Sequence, residues 1–290
     1  MTDNELTEVR RWFVEDIRVR APVLREVAVI EAFARVPRER FLGPGPWRLL
    51  ANKPFMTPDA DPRWLYHDLV VSIDAARNLN NGQPSFWAHK FDEIGLRPGE
   101  RVMQVGAATG YYSAVLAEIV GHDGWVTAVE YEANLAARAR DNLKPWRHVE
   151  VVEGDGTTHD AGEVDAVIVC AGATHPAPLW LDRLAEGGRL VMPLTAAGGW
   201  GFVLRVVRRG GQFHAASIGG VGIFDCVGVR DEEAAKRLQV VVNDLRGNPA
   251  PIGALHRGEP PIDATDQVWY HGPGFWLQRE PAVTTDITAT

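Results

Sequence analysis

Between residues 101 and 192, short apolar runs alternate with helical stretches. This rhythm constrains the fold more than any other feature of the chain. Residues 101–105, 125–129, 149–152, 166–170 and 189–192 read as strands. They are short and apolar throughout, as expected of strands covered on both faces of a parallel sheet. Residues 112–120, 133–143 and 178–184 between them read as helices. The alternation predicts an α/β fold, a doubly wound, mostly parallel sheet with helices on both faces. Ligands of such sheets bind outside the carboxyl ends of the strands.

Three groups fall at those ends. The first strand runs through Gly106-Ala107-Ala108-Thr109-Gly110 into a helix that opens near Tyr111. Small residues let the backbone approach a ligand, and the helix start offers free N–H groups. A tight strand–helix turn also wants glycine for its own geometry, so the loop gains weight from its company. Glu130 closes the next strand, where an acid grips a ribose diol in nucleotide-type folds. Asp155 and Gly156, in Gly154-Asp155-Gly156, close the strand after that, where an acid can accept from an adenine amino group. A dinucleotide fingerprint needs glycine where Ala108 stands, so a pyrophosphate is disfavoured. S-adenosylmethionine uses the same three groups without that demand.

The segment from Gly106 to Tyr111 resembles the first motif of class I methyltransferases. The wider pattern is similar to the protein-L-isoaspartate O-methyltransferase family over roughly Val9 to Gly228. The resemblance is carried by Val36-Pro37-Arg38-Glu39-Arg40-Phe41, Tyr66-His67-Asp68, Gln83-Pro84-Ser85, Arg97-Pro98-Gly99-Glu100-Arg101-Val102, Val129-Glu130-Tyr131, Gly154-Asp155-Gly156-Thr157 and the run from Leu184 to Pro193. It implies a Rossmann-like domain and methyl transfer from S-adenosylmethionine to a carboxylate. It implies that Gln104, Gly106, Ala107, Ala108, Thr109, Gly110 and Tyr111 face the methionine part of the cofactor. Glu130 and Tyr131 would lie at the ribose, and Asp155 and Gly156 at the adenine. The Asn81-Gly82-Gln83-Pro84 loop would close over the cofactor, with Gly82, Gln83 and Ser85 as the catalytic set. A carboxylate is ionised at neutral pH, so positioning and exclusion of water would carry the catalysis and no strong base is needed.

Three positions depart from the family pattern. Gly82 stands where the family has Ser or Thr. Gln104 stands where it has an acid. Asp225, within Phe224-Asp225-Cys226, stands where the family's strand reads as apolar with proline. These bear on the acceptor, and they keep two further readings open. One is a dedicated methyltransferase for an Asp of a modified peptide or for a small-molecule acid. The other is a non-enzymatic protein that binds cofactor or a partner. His67-Asp68 reads first as a structural hydrogen bond.

The flanks are less regular. Leu6, Val9, Phe13 and Ile17 give one amphipathic helix. Val23, Val27, Ile30 and Phe33 give a second, with Pro22 in its first turn and Pro37 at its end. Residues 43–62 read as an irregular packed loop, 69–73 as a strand, 78–84 as a loop and 85–94 as a helix ended by Gly95. After Pro193 the pattern turns to β, with strands 202–207 and 213–218 joined at Arg208-Arg209-Gly210-Gly211. Asp231 caps a helix over 232–245. The tail from Gly247 carries Trp269, Tyr270, Phe275 and Trp276 and reads as a segment wrapped onto the body or a partner, disordered from Pro281. The expected division is 1–95 for N-terminal helices and active-site loop, 96–228 for the cofactor domain and 229–290 for the C-terminal helix and tail.

The 290 residues carry a net charge of -8. That argues against nucleic acid as a partner, which requires a basic footprint. Two cysteines are too few for a disulfide framework. No run reaches the length of a membrane span, and the N-terminus lacks the basic and apolar regions of a signal peptide. No His/Cys spacing suggests a metal. A cytoplasmic enzyme with a protein, peptide or small-acid substrate is expected, with its oligomeric state open.

Overall fold

The computed structural model describes residues 3–280 apart from Val23 and Arg246. Val23, expected in the second helical stripe, and the tail from Pro281 lie outside the described residues. The chain divides into two compact units at the link between Cys170 and Ala171.

The first unit opens with helices α1 (Asp3–Arg20), α2 (Val27–Arg35) and α3 (Glu39–Leu42). Phe13 and Ile17 of α1 are buried as their spacing requires. On α2 the buried face is Val29, Ala32 and Phe33, whereas Val27 is exposed. The helix starts at Val27, so Pro22 lies in the preceding turn rather than in its first turn.

Residues 43–62, expected to be irregular, contain strands β1 (Arg48–Leu50) and β2 (Phe55–Met56). With β3 (Val70–Asp74) and β4 (Leu79–Asn80) they form an antiparallel sheet of order β2-β1-β3-β4. Strands of two or three residues have no period to read. A buried cluster of Leu42, Trp47, Leu49, Leu65 and Val71 fixes β1 and β3, whereas β2 is exposed and held by its pairing with β1. Helix α4 (Pro84–Ile94) follows, with proline in its first turn and Gly95 in the left-handed cap at φ 61°.

The alternating region builds β5 (Arg101–Val105), α5 (Tyr111–Val120), β6 (Trp125–Glu130), α6 (Ala133–Asn142), β7 (Val149–Glu153) and β8 (Val164–Val169). The strands are parallel in the order β8-β5-β6-β7. The α/β class expected from the rhythm holds. Since the strands are parallel and neighbouring, the ends of β5, β6 and β7 deliver their following residues to one edge of the sheet.

The second unit holds α7 (Pro178–Asp182), β9 (Leu184–Thr195), β10 (Trp200–Arg209), β11 (Gln212–Gly222), α8 (Glu232–Leu245), β12 (Ile252–Arg257), β13 (Val268–Gly272) and β14 (Phe275–Arg279). Its sheet is antiparallel, in the order β9-β10-β11-β12-β14-β13. Strand β9 is longer than expected and takes Leu184 from the expected helix. The Asp231 carboxylate accepts the Ala234 N–H at 2.6 Å, as a helix cap should. The aromatic tail forms strands: Trp269, Tyr270, Phe275 and Trp276 are all buried. Among the described residues no helix is long and apolar enough to cross a membrane.

Candidate active site

The loop after β5 is shaped by its backbone. Gly106 and Gly110 lie at φ 81° and 93°, and Ala108 at 51° in a region alanine rarely occupies. A Cβ on Gly110 would lie 2.7 Å from Leu143 Cδ1, so this glycine is required by the close approach of α6. At Gly106 a Cβ would meet nothing nearer than 3.6 Å, leaving φ as its constraint. The Thr109 carbonyl accepts from Asn142 Nδ2 at 2.9 Å. Ala107 and Thr109 are buried and Ala108 is half-buried.

Glu130 ends β6 with its side chain turned back to this loop. Its Oε2 accepts the Ala108 N–H at 2.6 Å and its Oε1 accepts the Glu132 N–H at 2.9 Å. The carboxylate therefore holds Ala108 in its strained conformation. Burial pushes the Glu130 carboxyl above its usual range, against the opposing pull of these backbone donors. Each oxygen receives one of these backbone donors and retains acceptor capacity. Two hydroxyls of a ribose diol match that capacity. Tyr131, next in the chain, is 55% exposed.

After β7, Asp155 is half-buried. Its Oδ1 accepts from the Thr157 N–H at 2.8 Å and the Thr157 hydroxyl at 2.7 Å. A Cβ on Gly156 would lie 2.6 Å from Val105 Cγ1, so the turn packs directly on the end of β5. The Gly106 loop, Glu130 and the Asp155-Gly156 turn thus share one edge of the sheet, bringing two carboxylates and a small-residue loop together.

Two residues expected at the methionine end are turned inward. Gln104 is buried, its Oε1 accepting from the Ser113 hydroxyl at 2.7 Å and its Nε2 donating to Cys170 Sγ at 3.4 Å. The Tyr111 ring packs between Phe33 and Phe41 under the Arg38 guanidinium, and burial drives its phenol well above the usual range. The Tyr111 side chain belongs to the core, while its backbone opens α5.

The 81–85 loop is tightly held. Gly82 has φ 72°, and a Cβ there would lie 2.7 Å from the indole Nε1 of Trp87. The Tyr112 hydroxyl donates to the Gly82 carbonyl at 3.1 Å. Neither Tyr112 nor Trp87 stands out in the sequence, where each falls within an expected helix, 112–120 and 85–94. Gln83 is exposed, with its amide donating to Asp68 Oδ2 at 2.9 Å. Ser85 is buried and its hydroxyl donates to the same oxygen at 2.7 Å. Its one hydroxyl proton is therefore committed to Asp68. In the second unit, Asp225 Oδ1 lies 3.3 Å from Arg230 Nη2, so its charge is paired.

Comparison with known proteins gives a consistent answer. The family model described as Protein-L-isoaspartate(D-aspartate) O-methyltransferase matches residues 13–222. A protein-L-isoaspartate O-methyltransferase 2 of Pelobacter propionicus is 34% identical over 227 residues, covering 76% of this chain and 92% of the relative. A protein-L-isoaspartate O-methyltransferase of Ignicoccus hospitalis is 29% identical over 207 residues, covering 70% and 90%. A solved protein-L-isoaspartate O-methyltransferase superposes with a TM-score of 0.63 at 20% identity, covering 94% of this chain and 88% of that one. A Plasmodium falciparum structure described as a protein-L-isoaspartate O-methyltransferase in complex with S-adenosyl-L-homocysteine gives 0.60 at 18% identity, covering 74% and 97%. At such identities the structural likeness speaks to the fold.

Proposed function

The chain belongs to the protein-L-isoaspartate(D-aspartate) O-methyltransferase family, and from that premise we propose that it methylates an isoaspartyl carboxylate in a protein or peptide. The observation that carries this reading is the convergence of the Gly106–Gly110 loop, Glu130 and the Asp155-Gly156 turn on one edge of the parallel sheet. S-adenosylmethionine supplies an electrophilic methyl group when bound. Glu130 would hold the ribose hydroxyls, Asp155 and Gly156 would meet the adenine, and the backbone from Gly106 to Gly110 would lie along the methionine. The acceptor needs no proton removed, because its carboxylate is already ionised. The chain's work is to bring that oxygen into line with the methyl carbon and to keep water out. The Gly82-Gln83-Pro84-Ser85 segment borders the acceptor. Cys170 and Cys226 form no disulfide, which fits a cytoplasmic setting.

Gly82 favours a second reading. It lacks the hydroxyl of the family pattern, and the nearby Ser85 hydroxyl proton is committed to Asp68. A dedicated acceptor, an Asp of one peptide or a small acid, would not require that hydroxyl. Methyl transfer from labelled S-adenosylmethionine to an isoaspartyl peptide, with its aspartyl twin as control, separates the two. Transfer to the isoaspartyl form alone supports the first reading. Cofactor binding by calorimetry with transfer to neither peptide favours the second.

A further inference from the structure

Asp68 is 4% exposed and lies outside the cofactor-binding edge. Its Oδ1 accepts the Ser85 backbone N–H at 2.8 Å. Its Oδ2 accepts the Ser85 hydroxyl at 2.7 Å and the Gln83 side-chain amide at 2.9 Å. It therefore caps α4 from a distant part of the chain, taking an N–H that the helix itself leaves free. Asp68 is itself fixed. Its backbone N–H donates to Asp16 Oδ2 at 2.8 Å. The fully buried Arg38 guanidinium donates to the carbonyls of Leu65, of His67 at 2.9 Å and of Leu69 at 3.0 Å, on both sides of Asp68. On the loop's other side, the Asn81 side chain accepts the Val71 N–H at 2.8 Å and Tyr112 holds the Gly82 carbonyl. The segments 36–41 and 66–68, prominent in the sequence yet without a chemical role there, thus connect into one relay that ends at the loop.

We infer that Asp68 is a positioning residue for methyl transfer, clamping Gln83 and Ser85 so that the loop presents the acceptor carboxylate in line, with Arg38 fixing Asp68 in turn. This rests on the proposed transfer to a carboxylate. A carboxylate suits the task because it accepts three bonds while offering no donor of its own. An asparagine would turn its NH₂ toward the Gln83 amide or the Ser85 donors. By filling the N-terminus of α4, Asp68 also denies that anion-attracting end to the acceptor.

The test is hydrogen–deuterium exchange of the full chain, wild type against Asp68→Asn and the milder Ser85→Ala, with kinetics on an isoaspartyl peptide alongside. In Asp68→Asn the amides of residues 81–86 exchange about tenfold faster while those of β5 and β6 do not change. The kcat falls about 10–100-fold, and the cofactor Kd changes less than about threefold. Ser85→Ala shows the same split at roughly a third of the size, and it carries both readouts should Asp68→Asn fail to fold. Unchanged loop exchange overturns the proposal whatever the activity. Faster loop exchange with undiminished kcat overturns it as well. Wild-type enzyme that transfers no methyl to the isoaspartyl peptide overturns the acceptor reading instead, and the exchange data then decide Asp68 alone.

Discussion

A serine at position 82 would drive its Cβ against Trp87 in a backbone at φ 72°. Trp87 has little room to yield, since it is buried against Phe86, Phe91 and Tyr112. Gly82→Ser is therefore expected to lower stability by about 2–4 kcal/mol without raising isoaspartyl activity. Thermal unfolding and methyl-transfer assays check this, and an unchanged Tm would mean that Trp87 gives way. Glu130 answers to a different test. Glu130→Ala should weaken cofactor binding by about 1–3 kcal/mol in calorimetry. Its carboxyl is raised by burial in the free protein, while ribose hydroxyls donate to the ionised form. Cofactor binding then expels a proton wherever the free site is protonated. Affinity should fall as pH drops through that raised value and level off above it. Glu130→Ala should abolish this acid limb.

Helix α4 links the active-site loop to the core, and it carries Lys90 at 3% exposure over the Phe86 ring. Burial lowers the Lys90 amine from its ordinary 10.5 to about 8, with Glu93 pulling the other way. The folded state thus gives up this proton more readily than the unfolded chain. The resulting penalty is fully present below about pH 8 and fades as pH rises toward the unfolded value. Lys90→Met should be more stable than wild type by about 1–2 kcal/mol at pH 7, after allowance for solvent screening, with the gap closing near pH 10. Urea titrations at the two pH values would show it.

The same scale explains what could be read in advance. The strands and helices from Arg101 to Val169 were legible because short apolar runs alternate there with helical stretches, the rhythm of a parallel sheet. Strands β1 and β2 were not, because two or three residues carry no period; the buried cluster of the folded state selects β1, and pairing with β1 selects β2. Glu130 was legible by its place at a strand end. Its grip on Ala108 was not, since that bond depends on the side chain turning back along the sheet. The tail aromatics read as a segment wrapped onto the body or a partner; that they lie in paired strands is not legible, because β12 to β14 do not alternate in burial and are bounded by proline and glycine.

Those tail strands belong to the second unit's core. Phe202 and Trp269 meet edge to face at 5.6 Å, and the Tyr270 hydroxyl donates to the Ala234 carbonyl at 3.1 Å. Burial of the Trp269, Tyr270, Phe275 and Trp276 rings contributes on the order of 10 kcal/mol or more before entropy is counted. A chain ended after Leu245 should lose cooperative unfolding of this unit, seen as a broadened calorimetric transition. If the transition stays sharp, the tail is an appendage.

The order of the strands also governs time. Strands β9 and β10 pair with their immediate successors across tight connections, so closing each loop costs little entropy. In the first unit Val102 must find Ala166, with two helices and two strands intervening in the chain. Such non-local pairing is slow. Synthesis from the N-terminus gives this slow half a head start, for the cofactor sheet leaves the ribosome while the quicker meander is still being made.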